Sequence, residues 1–133
     1  MKLYTAATFS EQKKIRVYKE RFVQMGHSVL STWLEEQMRP DGITQEQFDR
    51  KMAAKDLQEI SACDCFILDM EIRSASMGKM TEFGFALARH KLIYVVGAPP
   101  KGSIFVALGD ILFNDWEALF AHFRSHHSLG TPR

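Results

Sequence analysis

At 133 residues the chain has the size of one domain, spanning 1–133, and is long enough to bury a core without disulfide or metal staples. With 46% hydrophobic and 25% charged residues it is an ordinary globular composition, and a net charge of +1 gives neither nucleic acid nor a membrane surface anything to hold. No apolar run reaches the roughly 18 to 20 residues of a membrane span, nor do the first residues read as a secretory leader. The two cysteines, Cys63 and Cys65, fit neither a CxxC pair nor a four-ligand zinc site and read as reduced thiols of a cytoplasmic protein.

Strand and helix patterns alternate along the chain. Residues 2–7 read as a strand, and residues 10–25 as a helix that presents Ile15, Tyr18, Phe22 and Met25 on one face before Gly26 ends it. A short strand is expected at 28–33. A polar loop with Pro40, Asp41 and Gly42 then leads into a helix over 44–62, opened by a capping box of Thr44 and Gln47. The apolar run 65–69 is a buried strand, 78–89 a helix and 92–97 a fourth strand. After a turn over 98–102, a short helical piece is expected at 103–108 and a fifth strand at 111–113. Asn114 with Glu117 predicts the cap of a last helix carrying Trp116, Leu119, Phe120 and Phe123, with a frayed tail from about residue 125.

Such alternation implies parallel pairing, right-handed crossovers and helices on both faces: an α/β fold with a five-stranded doubly wound sheet of order 2-1-3-4-5. Its crevice opens between strands one and three, which gathers residues 4–8, Asp69 and residues 76–82 around one site. Glu82 then stands early in a helix at the carboxyl end of a buried strand, with Ser76 and Gly78 leaving backbone amides open to an anion. The competing reading is a helix start that carries ordinary capping residues.

Helix two holds an anomaly, because the ridge Phe48, Met52, Asp56, Ile60 places a carboxylate where the pattern asks for a hydrophobe. Asp56 is either functional or at the solvated edge of the stripe. Asp69 similarly serves a site or caps the loop after its strand, and Tyr4 is either a site phenol or core filler. Trp33 stacks on a ligand or packs. His122, His126 and His127 are metal ligands or a solvated tail, and Met70, Met77 and Met80 line a pocket or fill the core.

Three runs of the sequence together resemble the nucleoside 2-deoxyribosyltransferase superfamily. They are Asp56-Leu57-Gln58-Glu59-Ile60-Ser61-Ala62-Cys63-Asp64, then Phe66-Ile67-Leu68-Asp69, then Ser76-x-Gly78-x-x-x-Glu82-x-Gly84-x-Ala86, preceded by a first strand with Tyr4. By that resemblance Glu82 is the nucleophile, Asp56 the acid on the leaving base and Tyr4 the residue that holds the nucleophile. The chemistry suits these residue types, since cleaving an N-glycosidic bond needs a carboxylate at the oxocarbenium-like centre and a proton for the departing base. Desolvation is expected to raise the Asp56 pKa, and the helix start to keep Glu82 charged.

Six residues before the glutamate, members that use free nucleosides carry aspartate. Those resembling 2'-deoxynucleoside 5'-phosphate N-hydrolases carry serine, with glycine two residues on, and this chain has Ser76 and Gly78. The resemblance therefore implies a nucleoside 5'-monophosphate as substrate, hydrolysis without metal or organic cofactor, and a homodimer whose neighbour closes the site. The chain departs from the hydrolases in three ways. Ser10 stands where they have arginine, leaving Lys13, Lys14, Arg16 or Arg73 to supply positive charge. Val106 replaces the serine a neighbour lends, with Ser103 as the substitute, and the loop 70–75 is longer. The rival readings are base exchange between nucleosides by a deoxyribosyltransferase and a nucleotide sensor without turnover.

Overall fold

The protein was obtained as a computed structural model, which describes residues 1–36, 38–71, 76–97 and 104–127. In chain order the regular elements are β1 (Lys2–Ala6), α1 (Gln12–Gln24), β2 (Ser28–Val29), α2 (Gln45–Ala62), β3 (Cys65–Asp69), α3 (Met77–Ala88), β4 (Leu92–Val96), β5 (Ile111–Phe113) and α4 (Trp116–His126). Short 3-10 turns occupy Phe9–Glu11, Thr32–Glu35 and Ile104–Leu108. The strands form one parallel sheet in the order β2-β1-β3-β4-β5, as the alternation of elements predicts.

Parallel strands covered on both faces must be apolar throughout, and every residue of β3 is buried. On one face α2 and α3 pack together over β1 and β3. α1 and α4 share an aromatic cluster in which Tyr18 stacks on Trp116 at 4.4 Å and Phe22 lies 4.6 Å from Phe120, measured between ring centroids. Thr44 caps α2 with the expected capping box. Cys63 and Cys65 are free and buried, and burial raises the pKa of both thiols.

Two local expectations shift. The strand expected at 28–33 stops at Val29, because the Ser31 hydroxyl accepts the Thr5 N–H at 2.7 Å where a ladder carbonyl would have been. The chain is thereby released into the Thr32–Glu35 turn, and Trp33 belongs to that turn. Asp115, one residue after Asn114, caps α4 by accepting from the Ala118 N–H at 2.8 Å. The helix then runs to His126, and residues 128–133 of the expected tail lie outside the described residues, as does the turn at 98–102.

Gly97 holds the carboxyl ends of β3 and β4 together. Its φ of 95° is left-handed, and an added Cβ would sit 2.6 Å from the Glu71 nitrogen. The Met70 N–H donates to the Val96 carbonyl at 2.7 Å beside it. That close approach fixes where the chain leaves β3 towards the start of α3.

Candidate active site

The crossover from β1 outward to β2 and back to β3 puts the switch point between β1 and β3, and the site is built there. Tyr4 is fully buried in β1, and its ring stacks on Phe66, its register partner on β3, at 5.8 Å. The stacking aims the phenol at α3, where its hydroxyl donates to Glu82 Oε2. Burial, followed by the charge of Glu82, pushes the phenol pKa upward, so Tyr4 stays a donor.

Glu82 lies in the second turn of α3, beyond the first-turn amides of the helix. The expectation that the helix start keeps it readily ionised is corrected by that placement: desolvation pushes its pKa up to about 7, and Asp56 adds to the rise, against a lowering by the Tyr4 hydrogen bond. Asp56 is half-buried and also rises to about 7, through desolvation first and the charge of Glu36 second, with Lys55 opposing. One Asp56 oxygen is buried without a hydrogen-bond partner among the described residues. The edge-of-stripe reading of Asp56 does not describe this position. Two carboxyls near neutrality can divide the work of nucleophile and acid, one ionised while the other holds the proton.

Both carboxyls border two connected hollows. The larger, about 360 Å³, is lined by Ala53, Leu57, Met77, Gly78 and Thr81 beside Asp56 and Glu82. The smaller, about 180 Å³, adds Phe9, Trp33, Glu36, Ser76 and Lys79. The larger is mainly apolar and the smaller gathers the polar and charged side chains, and this apolar space with convergent polar groups is the character of a small-molecule site.

Ser76 is the N-cap of α3, its hydroxyl oxygen accepting the Lys79 N–H at 3.4 Å. Gly78 borders both hollows, and a Cβ there would meet nothing closer than Ser76 Oγ at 3.6 Å, so packing within the chain does not require glycine. Asp69 lines neither hollow. It is 2% exposed, with Oδ2 accepting from Trp116 Nε1 at 2.9 Å and paired with Lys14 at 2.8 Å, and Oδ1 accepting from the Glu71 N–H at 2.9 Å. Lys14 is thereby committed to the Asp69 cluster. Val106 is fully buried in the core. Ser103 and Arg73 lie outside the described residues.

The sequence reading passed over Lys79 and Glu36. Lys79 is 1% exposed, and its ammonium donates to the Asp69 carbonyl at 3.1 Å and the Thr8 hydroxyl at 3.5 Å. Its spacing was a usable signal, because Lys79, Phe83 and Ala86 form the buried face of α3. Glu36 ends the turn after β2, where no periodicity marks it, and pairs with Lys55 at 2.6 Å. Trp33 packs, at 6% exposed, with its indole N–H on the Thr5 carbonyl at 2.7 Å, although it also borders the smaller hollow. Of the histidines, His122 and His127 are no solvated tail, since they share the Tyr94 hydroxyl at 3.2 and 2.6 Å because Tyr94 faces α4 from β4, whereas His126 is exposed. Among the described residues, no three His, Cys, Asp or Glu side chains are grouped to hold a metal ion. The methionines divide: Met70 is core, Met77 is an exposed rim of the larger hollow, and Met80 lines a separate apolar cavity.

A parallel sheet with carboxyls and a phenol at its switch point has the architecture of an α/β enzyme with a small-molecule site. The chain belongs to the nucleoside 2-deoxyribosyltransferase family, whose model matches residues 3–102. The family is described as one of nucleoside 2-deoxyribosyltransferases, so the chain is an enzyme of that kind. The fold is similar to that of a 2-deoxyribosyltransferase from Bacillus psychrosaccharolyticus, with TM-score 0.71, 18% identity and 90% of each chain covered. It is also similar to the CMP N-glycosidase BcmB of Clostridium botulinum, with TM-score 0.59, 18% identity, and 95% of this chain and 100% of that one covered. At these identities the likeness is one of fold. No curated protein sequence matches the chain. None of the described helices is long and apolar enough to cross a membrane.

Proposed function

We propose that the chain is an N-glycosidase that hydrolyses a ribo- or deoxyribonucleoside 5'-monophosphate to free base and sugar 5-phosphate. The observation that carries this reading is the shared chamber of Glu82 and Asp56, with the Tyr4 hydroxyl bonded to Glu82. Ionised Glu82 attacks the anomeric carbon as the C–N bond breaks, and Asp56 gives its proton to the departing base. The Asp56 carboxylate then takes a proton from water, which opens the glycosyl ester and frees Glu82. Two carboxyls supply both roles, so the chemistry asks for no metal or organic cofactor.

The phosphate goes to the start of α3, where Ser76 and the Gly78 backbone meet it with a hydroxyl and an amide and the buried Lys79 lines the same hollow. The CMP N-glycosidase among the similar structures is in keeping with a nucleotide substrate. Ser103 is assigned to the same phosphate, lent by a neighbouring subunit. A homodimer would cover Met77, Ile104, Phe105 and Leu108, which are 60–85% exposed in the single chain. The chain acts as one domain, in the cytoplasm, where Cys63 and Cys65 stay reduced.

Base exchange between nucleosides is the second reading, favoured by the family description and the Bacillus structure. Incubation with ribo- and deoxyribonucleotides and nucleosides, with and without an added second base, separates the two by the products formed. Hydrolysis of monophosphates that disappears in Glu82→Gln is the expected result. Sugar transfer to the added base in preference to water establishes the second reading. Tight nucleotide binding with no turnover of any substrate would leave the sensor reading.

A further inference from the structure

Asp56 does not face the smaller hollow alone. Glu36 lines the same wall, and of all charged side chains it acts most strongly on Asp56. Its position is set by the loop that carries it: Gln12 Nε2 donates to the Trp33 carbonyl at 2.7 Å and to the Glu36 carbonyl at 3.1 Å, and Trp33 is tied to β1 through Thr5. One Glu36 oxygen accepts from Lys55 Nζ at 2.6 Å, a charge-assisted hydrogen bond. That is the one hydrogen bond to the Glu36 carboxyl among the described residues. Across the hollow, Phe9 keeps 56% of its surface exposed, and its ring centre is 6.2 Å from that of Trp33. The hollow thus joins an open aromatic surface for a flat ring to two carboxyl side chains, Asp56 and Glu36.

We propose that Asp56 and Glu36 read the departing base as a pair, Asp56 donating to a ring nitrogen while Glu36 accepts from the exocyclic amino group beside it. This rests on the glycosidase reading above. Cytosine and adenine present that edge, an unprotonated ring nitrogen next to an amino group. Uracil and hypoxanthine present the reverse, a ring N–H next to a carbonyl oxygen, which sets donor against donor and oxygen against carboxylate. The enzyme therefore selects nucleotides of amino-bearing bases over their oxo counterparts. The same contact serves the reaction. The Asp56 proton lands on the ring nitrogen while the C–N bond is still breaking, Glu36 steadies the partial positive charge this gives the amino group, and the electron pair of that bond then passes to the base, which leaves neutral.

The test compares the cytosine with the uracil 5'-monophosphate, and the adenine with the hypoxanthine one. Two quantities are measured: kcat/KM of the wild type, and calorimetric affinity of Glu82→Gln for the intact nucleotides. At least one amino nucleotide should exceed its oxo partner by about tenfold or more, the worth of one charge-assisted hydrogen bond. Glu36→Gln, whose amide can turn to donate, should bring that ratio towards unity while circular dichroism shows a native fold. Equal handling of amino and oxo nucleotides by the wild type overturns the inference, as does an unchanged ratio in folded Glu36→Gln. The wild-type ratio decides alone should the variant not fold. Amino-selective binding without turnover would sustain the base reading and remove the glycosidase one; turnover without selectivity would do the opposite.

Discussion

The Tyr4 hydroxyl donates to Glu82 Oε2 across 78 residues of sequence, joining the first strand to the helix that follows the third. The bond lowers the Glu82 pKa against the desolvation that raises it, and it holds one of the two carboxylate oxygens.

Tyr4→Phe keeps the ring on Phe66 and removes only the hydroxyl. The Glu82 pKa should then rise further, moving the acidic limb of the pH–kcat/KM profile to higher pH, and kcat should fall by roughly ten- to a hundredfold. Profiles of wild type and variant on one nucleotide check this. An unmoved acidic limb would show that the phenol does not tune Glu82.

Activity should be greatest near neutral pH. Below about 7 Glu82 takes up a proton and loses nucleophilicity, and above about 7 Asp56 loses the proton it gives to the base. Asp56→Asn should slow ordinary nucleotides by about a hundredfold or more while sparing a substrate whose leaving group needs no proton. Because the Asp56 charge raises the Glu82 pKa, the acidic limb of the remaining activity should move to lower pH. Equal losses on both substrates would remove Asp56 from the role of acid.

The same substitution predicts a stability change whose sign follows from linkage. The folded pKa of Asp56 is raised from 3.8 to about 7, so below pH 4 the group is protonated in both states and adds no pH-dependent cost. As pH climbs to 7 the unfolded chain ionises while the folded one resists, and stability is lost. Asp56→Asn cannot ionise. Its melting temperature relative to wild type should rise between pH 4 and 7 and level off above, and a difference that stays flat across that range would contradict the burial of this carboxyl.

Legibility in the sequence followed the kind of signal each feature gives. β3 and β5 matched their expected bounds because short apolar runs between polar breaks leave little choice of register. β2 was overextended because the ending depends on the Ser31 hydroxyl meeting Thr5, a contact between distant residues. Asp56 was visible as a carboxylate in an apolar ridge. Glu36 was not, since a turn has no period against which one acidic residue looks misplaced. The ionisation of Glu82 was misjudged because its place in the second turn of α3, under Tyr4 and beside Asp56, exists only in three dimensions.

Asp69 tests whether a carboxylate at a strand's carboxyl end works on substrate or on the fold. Its bonds to Lys14, Trp116 and the Glu71 amide leave Asp69→Ala with a buried indole N–H deprived of its acceptor and with Lys14 held only by Glu11 and Glu71. The expected loss is about 2 to 4 kcal/mol of stability by denaturant titration, with KM for nucleotide changed little in the folded fraction. A normal stability with a steeply raised KM would assign Asp69 to the substrate.

Ser76 separates phosphate recognition from nucleoside recognition. As the N-cap of α3 its hydroxyl accepts from Lys79 N–H, a bond that an aspartate at the same position would also make, so Ser76→Asp should preserve the helix start. What changes is charge. A carboxylate there stands against the dianion of a 5'-phosphate in a partly desolvated hollow, a repulsion on the order of a few kcal/mol. The wild type should therefore prefer monophosphates over nucleosides, and Ser76→Asp should lower the ratio of their kcat/KM values by about a hundredfold or more, through the nucleotide term and not the nucleoside one. Ser76→Ala, which removes the hydroxyl without adding charge, should weaken nucleotide binding far less. If Ser76→Asp leaves the ratio where the wild type has it, the phosphate does not sit at the start of α3; if the wild type shows no preference for monophosphates, the exchange of bases between nucleosides becomes the better account of the site.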